Sequence, residues 1–373
     1  MTRPHTTPRS RFIVPLLCMA WLAIVLLTVV AHANAQEQAI ALPYAQRPEV
    51  IEFIDTLAST YGLERAWLEQ TLNQARYSEQ AEKLNTPALT PPWQSNWNEY
   101  RARNVNEQRI RLGVEFMRAH RATLRRAQAQ WGVPVEIITA ILGVETIYGR
   151  IKGRLRALDV LTTLSFDYTR RAALFREELM QYLLWCREQG IDPTTPRSSF
   201  AAAMGLPQFM PSSVRLYAVD FDGDGRIDLS QSVPDAIGSV AAFLSAQGWQ
   251  ADAPILLKVH PSPSLVERAD QGIEPQRTWH QLAMQDVHLQ DEPPLAPDTP
   301  VLLIELANGM NGTNALPGTP EDPPPSQWRI GTPNFAALLQ YNRSYFYAAS
   351  VAELAQALRE RAAQSAAADR TRQ

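Results

Sequence analysis

From Pro48 to Arg76 the chain reads "PEVIEFIDTLASTYGLERAWLEQTLNQAR", with apolar residues recurring at spacings of three and four and one interruption at Tyr61-Gly62. That spacing predicts two short helices. The same periodicity predicts helices around residues 104–130, 134–149, 170–189 and 234–247, separated by Gly, Pro and Ser/Thr signals. After Trp249 the pattern changes. "PILLKV" and "VLLIEL" are apolar runs of strand length set among prolines, including "EDPPPSQ", and they predict a small β-containing region over 249–330. Helical spacing returns from Asn334 to about Ala362, and the Ala/Gln/Arg-rich tail, 363–373, is expected to fray. No internal repeat is present, and the fold class is α+β, mainly α-helical.

The N-terminus carries Arg3, Arg9 and Arg11, an uncharged apolar run from Phe12 to Ala31, and then Ala33-Asn34-Ala35. That order predicts a secretory signal over residues 1–35, cleaved before Gln36; left uncleaved, the run is long enough to anchor the protein in a membrane. Leu17 before Cys18 argues against a lipoprotein. Cys186 is the one other cysteine, so the exported chain forms no internal disulfide and Cys186 reads as an apolar filler on a helix. The 373 residues are 45% hydrophobic, with 35 basic residues against 38 acidic. A formal charge of -3 gives no reason to expect nucleic acid as a partner.

"AILGVETIYGR", residues 140–150, places one carboxylate, Glu145, in an otherwise apolar run. From Val135 to Tyr148 the residues are apolar on most faces, which predicts a central, buried helix. A carboxyl there has its pKa raised and can serve as a general acid. The alternative is a structural ion pair with Arg150 or Arg171. Glu136, in the first turn, simply complements the helix dipole.

Two further stretches carry candidate chemistry. In "SSFAAAMGLPQFMPSSVRLYAVD", residues 198–220, a Gly/Pro/Ser cluster predicts a loop before a helix capped by Ser212 or Ser213, and Gln208, flanked by Phe209 and Met210, reads as a polar amide on an apolar wall, as in a sugar-binding cleft. A buried turn with a satisfied Gln is the alternative. "DFDGDGRIDL" puts Asp220, Asp222, Asp224 and Asp228 at positions 1, 3, 5 and 9 of a calcium loop, with Gly225 at 6. Position 12 is Gln231 rather than the bidentate Glu, and Asp235 supplies a carboxylate if the loop is longer. An ordinary acidic turn is the alternative. No Ser-His-Asp order, zinc-type cluster, P-loop or GxGxxG occurs, so no organic cofactor is expected.

Read in order, "ILGVETIYGR", "SFAAAMGLPQFMPSS", "YAVDFDGDGRIDL", "PDAIGSVAAFL" and "YNRSYFYA" resemble the membrane-bound lytic transglycosylase B family of bacterial cell-wall enzymes, over roughly Pro48 to Leu358. The resemblance implies a goose-lysozyme-like helical core with extra helices and a small β domain. The resulting layout is a catalytic region over 36–248 with a calcium loop at 220–235, a β-containing domain over 249–330, and a helical return over 331–362. It further implies that Glu145 is the single catalytic acid/base, and that Tyr100, Ser199, Gln208, Met210, Tyr341, Asn342 and Tyr347 line the glycan cleft or orient the acid. Asp220, Asp222, Asp224, the carbonyl of Arg226 and Asp235 match the family's structural calcium site. Two positions depart from the family pattern: Phe243 stands where a tyrosine is common, and the segment before Asp235 is one residue longer.

The implied substrate is peptidoglycan, acted on by a monomer in the periplasm of a Gram-negative bacterium. Neither Asp159 nor Asp167 belongs to a motif that would present the second carboxylate of an ordinary glycosidase. One acid then acts alone, with 1,6-anhydromuramyl products. The rivals are a hydrolytic muramidase and a non-catalytic, calcium-stabilised wall-binding protein.

Overall fold

The computed structural model describes residues 42–86, 96–260, 269–290, 295–308 and 326–371. The apolar Phe12–Ala31 run and the cleavage triplet lie outside them. Among the described residues no helix is long and apolar enough to cross a membrane. The chain divides into two compact units, one ending at Arg76 and one beginning at Tyr77.

The first unit holds α1 (Pro48–Tyr61) and α2 (Arg65–Leu72). Pro48 occupies the first turn of α1, where its missing N–H has no intrahelical partner to lose, and Gly62 ends the helix at φ 68°. Val50, Ile54 and Leu57 form its buried stripe. This is the predicted pair of helices with the predicted break.

The second unit contains α3 (Glu79–Asn85), α4 (Trp97–Asn104), α5 (Glu107–Ala119), α6 (Arg121–Trp131), α7 (Val135–Thr146), α8 (Ala157–Phe166) and α9 (Ala172–Glu188). After these come α10 (Pro211–Tyr217), α11 (Val233–Ala246), α12 (Trp279–Ala283), α13 (Pro333–Tyr341) and α14 (Tyr345–Thr371). The single helix expected over 104–130 is two. The chain turns at His120, φ -111°, so that α5 packs on α7 and α14 while α6 packs on α11. No periodic pattern announced α8, because Leu158 through Ser165 are buried around its whole circumference apart from Asp159. The tail expected to fray instead continues α14 to Thr371, as its Ala, Gln and Arg content permits.

The β-containing region forms one four-stranded antiparallel sheet in the order β3 (Leu256–Lys258), β6 (Gln327–Gly331), β5 (Pro300–Leu306), β4 (Arg277–Thr278), with Leu303 opposite Ile330. Val301 and Leu303 join the sheet's own core with Leu257, Val259, Trp328 and Ile330. Leu302, Ile304 and Leu306, on the other face of β5, are also fully buried, which is why "VLLIEL" reads as a continuous apolar run rather than an alternating one. Just past the strand, Ala307 C=O accepts from Trp97 N–H at 2.8 Å and Asn308 Oδ1 from Asn98 N–H at 2.9 Å, fixing the start of α4. A second sheet is a short antiparallel ribbon of β1 (Leu155–Arg156) and β2 (Arg197–Ser198). Cys186 is buried on α9, its thiol pushed up to about 12 by burial, as expected of a filler.

Candidate active site

Glu145 is the next-to-last residue of α7, a helix whose residues Ile137 through Gly143 are all buried. The chain then runs through three left-handed residues in succession, Ile147 (φ 50°), Tyr148 (φ 58°) and Gly149 (φ 82°). A β-branched residue held there costs on the order of 1–3 kcal/mol and persists only where its surroundings force it. Several contacts do so. Ile147 N–H donates to Gly143 C=O at 3.2 Å and Tyr148 N–H to Leu142 C=O at 3.0 Å, while Gly149 N–H donates to Thr146 Oγ1 at 3.0 Å. The Tyr148 hydroxyl lies in a notch between Gly113 of α5 and Gly143 of α7 and donates to Arg109 C=O at 2.8 Å. Arg109 in turn donates from Nε to Gly143 C=O at 3.0 Å. A Cβ at Gly143 would sit 2.6 Å from the Tyr148 oxygen, so the glycine is required for this closure.

Glu145 is half-buried. Its Oε1 accepts from the Tyr347 hydroxyl at 2.6 Å, and among the described residues it has no ion pair, with Arg150 and Arg171 both exposed. Burial pushes its pKa up to about 7, against a smaller lowering by the Tyr347 hydrogen bond. Among the described residues, no neighbouring carboxylate contributes to that rise. Two other carboxylates of the helical core are engaged in contacts of their own: Asp159 lies 3.6 Å from Arg156, and Glu178 accepts from both N–H and Oγ of Ser212 at 2.8 Å.

The aromatic residues singled out in the sequence gather around this carboxyl. Tyr347, on the first turn of α14, is 2% exposed and stacks on Tyr341 with ring centroids 6.1 Å apart and planes at 15°. Tyr341, the last residue of α13, donates to Pro207 C=O at 2.5 Å. Burial and the Glu145 charge hold both phenols well above the usual range. Tyr100, on α4, is pushed up to about 12 by burial first and then by the charge on Glu145. Asn342 ends α13 with its side chain exposed. Phe243 meets Tyr341 edge-on at 4.9 Å and also packs on Tyr217 and Phe209, so a ring without a hydroxyl fills this place.

The other wall is the loop from Ser199 to Met210. Ser199 Oγ accepts from Ala201 N–H at 3.2 Å and Ala203 N–H at 3.1 Å, and Met204 and Phe209 pair through both backbone bonds. Gln208 sits at φ 51° and donates from Nε2 to Gly205 C=O at 2.7 Å. Leu206 joins three parts of the molecule. Its N–H donates to Leu229 C=O at 2.8 Å, and its own carbonyl accepts from Thr146 Oγ1 at 3.0 Å, one residue from Glu145. The helix cap expected at Ser212 or Ser213 lies elsewhere. Met210 is the N-cap residue of α10, Pro211 opens the helix, and the Glu178 carboxylate takes the Ser212 N–H that a serine cap would have taken.

In the acidic loop, Asp220, Asp222 and Asp235 bring carboxylate oxygens within 4.8 Å of one another. Asp235 is 1% exposed and accepts from Phe221 N–H at 2.8 Å and Asp228 N–H at 2.9 Å. Asp224 does not join the cluster; its Oδ1 accepts from Arg226 N–H at 2.8 Å. Asp228 Oδ1 accepts from Ser230 N–H and Gln231 N–H. Arg109, Tyr148, Leu206 and the Glu178–Ser212 pair carried no sequence signal of a role, because each works through a contact distant in the chain. The left-handed strain after Glu145 was hinted at only by the small residue Gly149.

The family model described as the transglycosylase SLT domain matches residues 45–356. The chain is 37% identical over 323 residues, 84% of each protein, to the membrane-bound lytic murein transglycosylase B of Escherichia coli strain K12. A solved structure of the catenated lytic transglycosylase SltB1 from Pseudomonas aeruginosa is 36% identical, with a TM-score of 0.76 over 86% of this chain and 99% of that one. The Escherichia coli lytic transglycosylase Slt35 in complex with calcium is 35% identical, with a TM-score of 0.71 over 86% of this chain and 95% of that one. With a lysozyme-like helical core and a family match over most of its length, the chain belongs to the transglycosylase SLT domain family of peptidoglycan lytic transglycosylases.

Proposed function

We propose that Glu145 is the only acid/base of this enzyme, and that it cleaves the β-1,4 bond between N-acetylmuramic acid and N-acetylglucosamine to leave a 1,6-anhydromuramyl end. The observation that carries this is a carboxyl raised to about 7 by burial, with no second carboxylate acting on it. Retaining and inverting glycosidases both need a second acidic group, as nucleophile or as base for water. Tyr347 holds Oε1, which leaves Oε2 to face the glycosidic oxygen. Glu145 gives its proton to that oxygen as the C1–O bond breaks, and the muramyl acetamido group stabilises the positive charge at C1. The carboxylate then takes the proton of the muramyl C6 hydroxyl, whose oxygen closes on C1. The proton balance is restored and no water is consumed.

Tyr100, Ser199, Gln208, Met210, Tyr341, Asn342 and Tyr347 are assigned to the glycan cleft. For Tyr347 the support is its hydrogen bond to the acid, for Tyr341 its stacking on Tyr347, and for Gln208 its place on the loop whose Pro207 carbonyl Tyr341 holds and whose Leu206 carbonyl bonds Thr146 at the end of α7. Asp220, Asp222 and Asp235 have the hard oxygen donors that suit calcium, with Asp224 and the Arg226 carbonyl completing the site on small loop movements. The ion would neutralise three clustered carboxylates and hold the loop; it supplies no step of the reaction. Export to the periplasm is read from the N-terminal segment. Mass spectrometry of digested sacculi tests the chemistry: anhydro ends are expected and must vanish in Glu145→Gln, whereas reducing ends from the wild type would make the enzyme a hydrolase.

A further inference from the structure

A cavity of about 660 Å³, lined by neither Glu145 nor Tyr347, is bordered by the 199–210 loop. Met204 and Gly205 of that loop line it, while the next residue, Leu206, turns its carbonyl to Thr146 beside the acid. The same short loop therefore borders the cavity and bonds to the end of the helix that carries Glu145. Its volume falls in the ordinary range for ligand sites.

The lining is cationic. Lys152, Arg197 and Arg226 contribute positive charge against the single carboxylate of Asp228, which is already engaged by Ser230 and Gln231 N–H groups. Lys152 Nζ donates to Ser230 C=O at 2.7 Å. Among the described residues, Arg197 and Arg226 have no ion pair and both are exposed, so their forked donors are available for carboxylates. The Trp185 ring adds an apolar wall to a space far larger than an inorganic anion needs.

We infer that this cavity is a second substrate-binding site, one that takes the carboxylate-bearing peptide stem of peptidoglycan. The inference rests on peptidoglycan being the substrate, since the stems are where that polymer carries most of its free carboxylates. Arg226 belongs to the acidic loop, so ordering of that loop and binding of the stem are coupled through one residue.

The experiment is calorimetric titration of the full chain, in calcium, with the free tetrapeptide L-Ala-γ-D-Glu-meso-diaminopimelyl-D-Ala and with its carboxyl-esterified form. The free peptide is expected to bind. Its affinity should fall about tenfold in Arg197→Gln and in Arg226→Gln, as loss of one charge-assisted pair implies, and the ester should not bind. On glycan strands stripped of peptide, Arg197→Gln should turn over at the wild-type rate, while its KM on intact sacculi rises. Absence of binding to wild type, equal affinity in the variants, or equal binding of the ester would overturn the site. Failure of the peptidoglycan chemistry itself would show separately, as no turnover of stripped strands by wild type.

Discussion

Replacing Glu145 by Gln isolates the energetic consequence of placing a carboxyl at the end of α7. The two side chains have the same shape, and Tyr347 can donate to the amide oxygen as it does to Oε1. They differ in that only Glu can ionise. Burial holds the folded pKa near 7 against an ordinary value of 4.5, so between those limits the folded protein keeps a proton that the unfolded chain has lost. Stability from this group is therefore fully present below about pH 4.5 and is lost as pH rises toward 7, at about 1.4 kcal/mol per pH unit. The whole shift corresponds to about 3 kcal/mol, and partial exposure of the carboxyl brings this nearer to about 2 kcal/mol. Glu145→Gln should thus unfold like the wild type at pH 4 and be more stable at pH 8, by roughly 3 °C in Tm for a chain of this size. Thermal unfolding of both proteins across that pH range measures the gap. A gap independent of pH, or one that widens toward acid, would refute the premise that burial holds the proton on Glu145.

The remaining expectations concern the neighbours of that carboxyl and the acidic loop. Tyr347→Phe removes the one contact that lowers the Glu145 pKa, so the alkaline limb of kcat/KM should move up by about one pH unit; a limb that stays in place or moves down contradicts the role given to Tyr347. Gly143→Ala puts a methyl group 2.6 Å from the Tyr148 oxygen and should lower kcat about tenfold while changing Tm little, since better helix propensity offsets the crowding; wild-type kcat would show that the closure after Glu145 has no bearing on the acid. Calcium should stabilise the fold by RT ln(1 + [L]/Kd), about 2.7 kcal/mol at one hundred times Kd, and so raise Tm, and Asp220→Ala should abolish the rise; an unchanged Tm in wild type would remove the metal from this loop.

Much of this protein was determined by residues close together in the chain. The Gly62 break, the helical periods, the apolar "VLLIEL" strand and the isolation of Glu145 in an apolar run are local patterns, and local patterns follow from side-chain spacing and backbone preference alone. What surrounds Glu145 is different in kind. Tyr347 lies 202 residues away, Arg109 reaches Gly143 across 34, and Leu206 meets Thr146 across 60. α8, buried apart from Asp159 and Phe166, had no continuous polar face to reveal its period, the Ser212 cap lost its N–H to Glu178 from another helix, and the Asp224 carboxylate turned to Arg226 instead of its fellow acids. The sequence by itself determined which carboxyl is costly to ionise. Only the tertiary structure decided how costly, because desolvation and the single Tyr347 hydrogen bond depend on which distant side chains close around it.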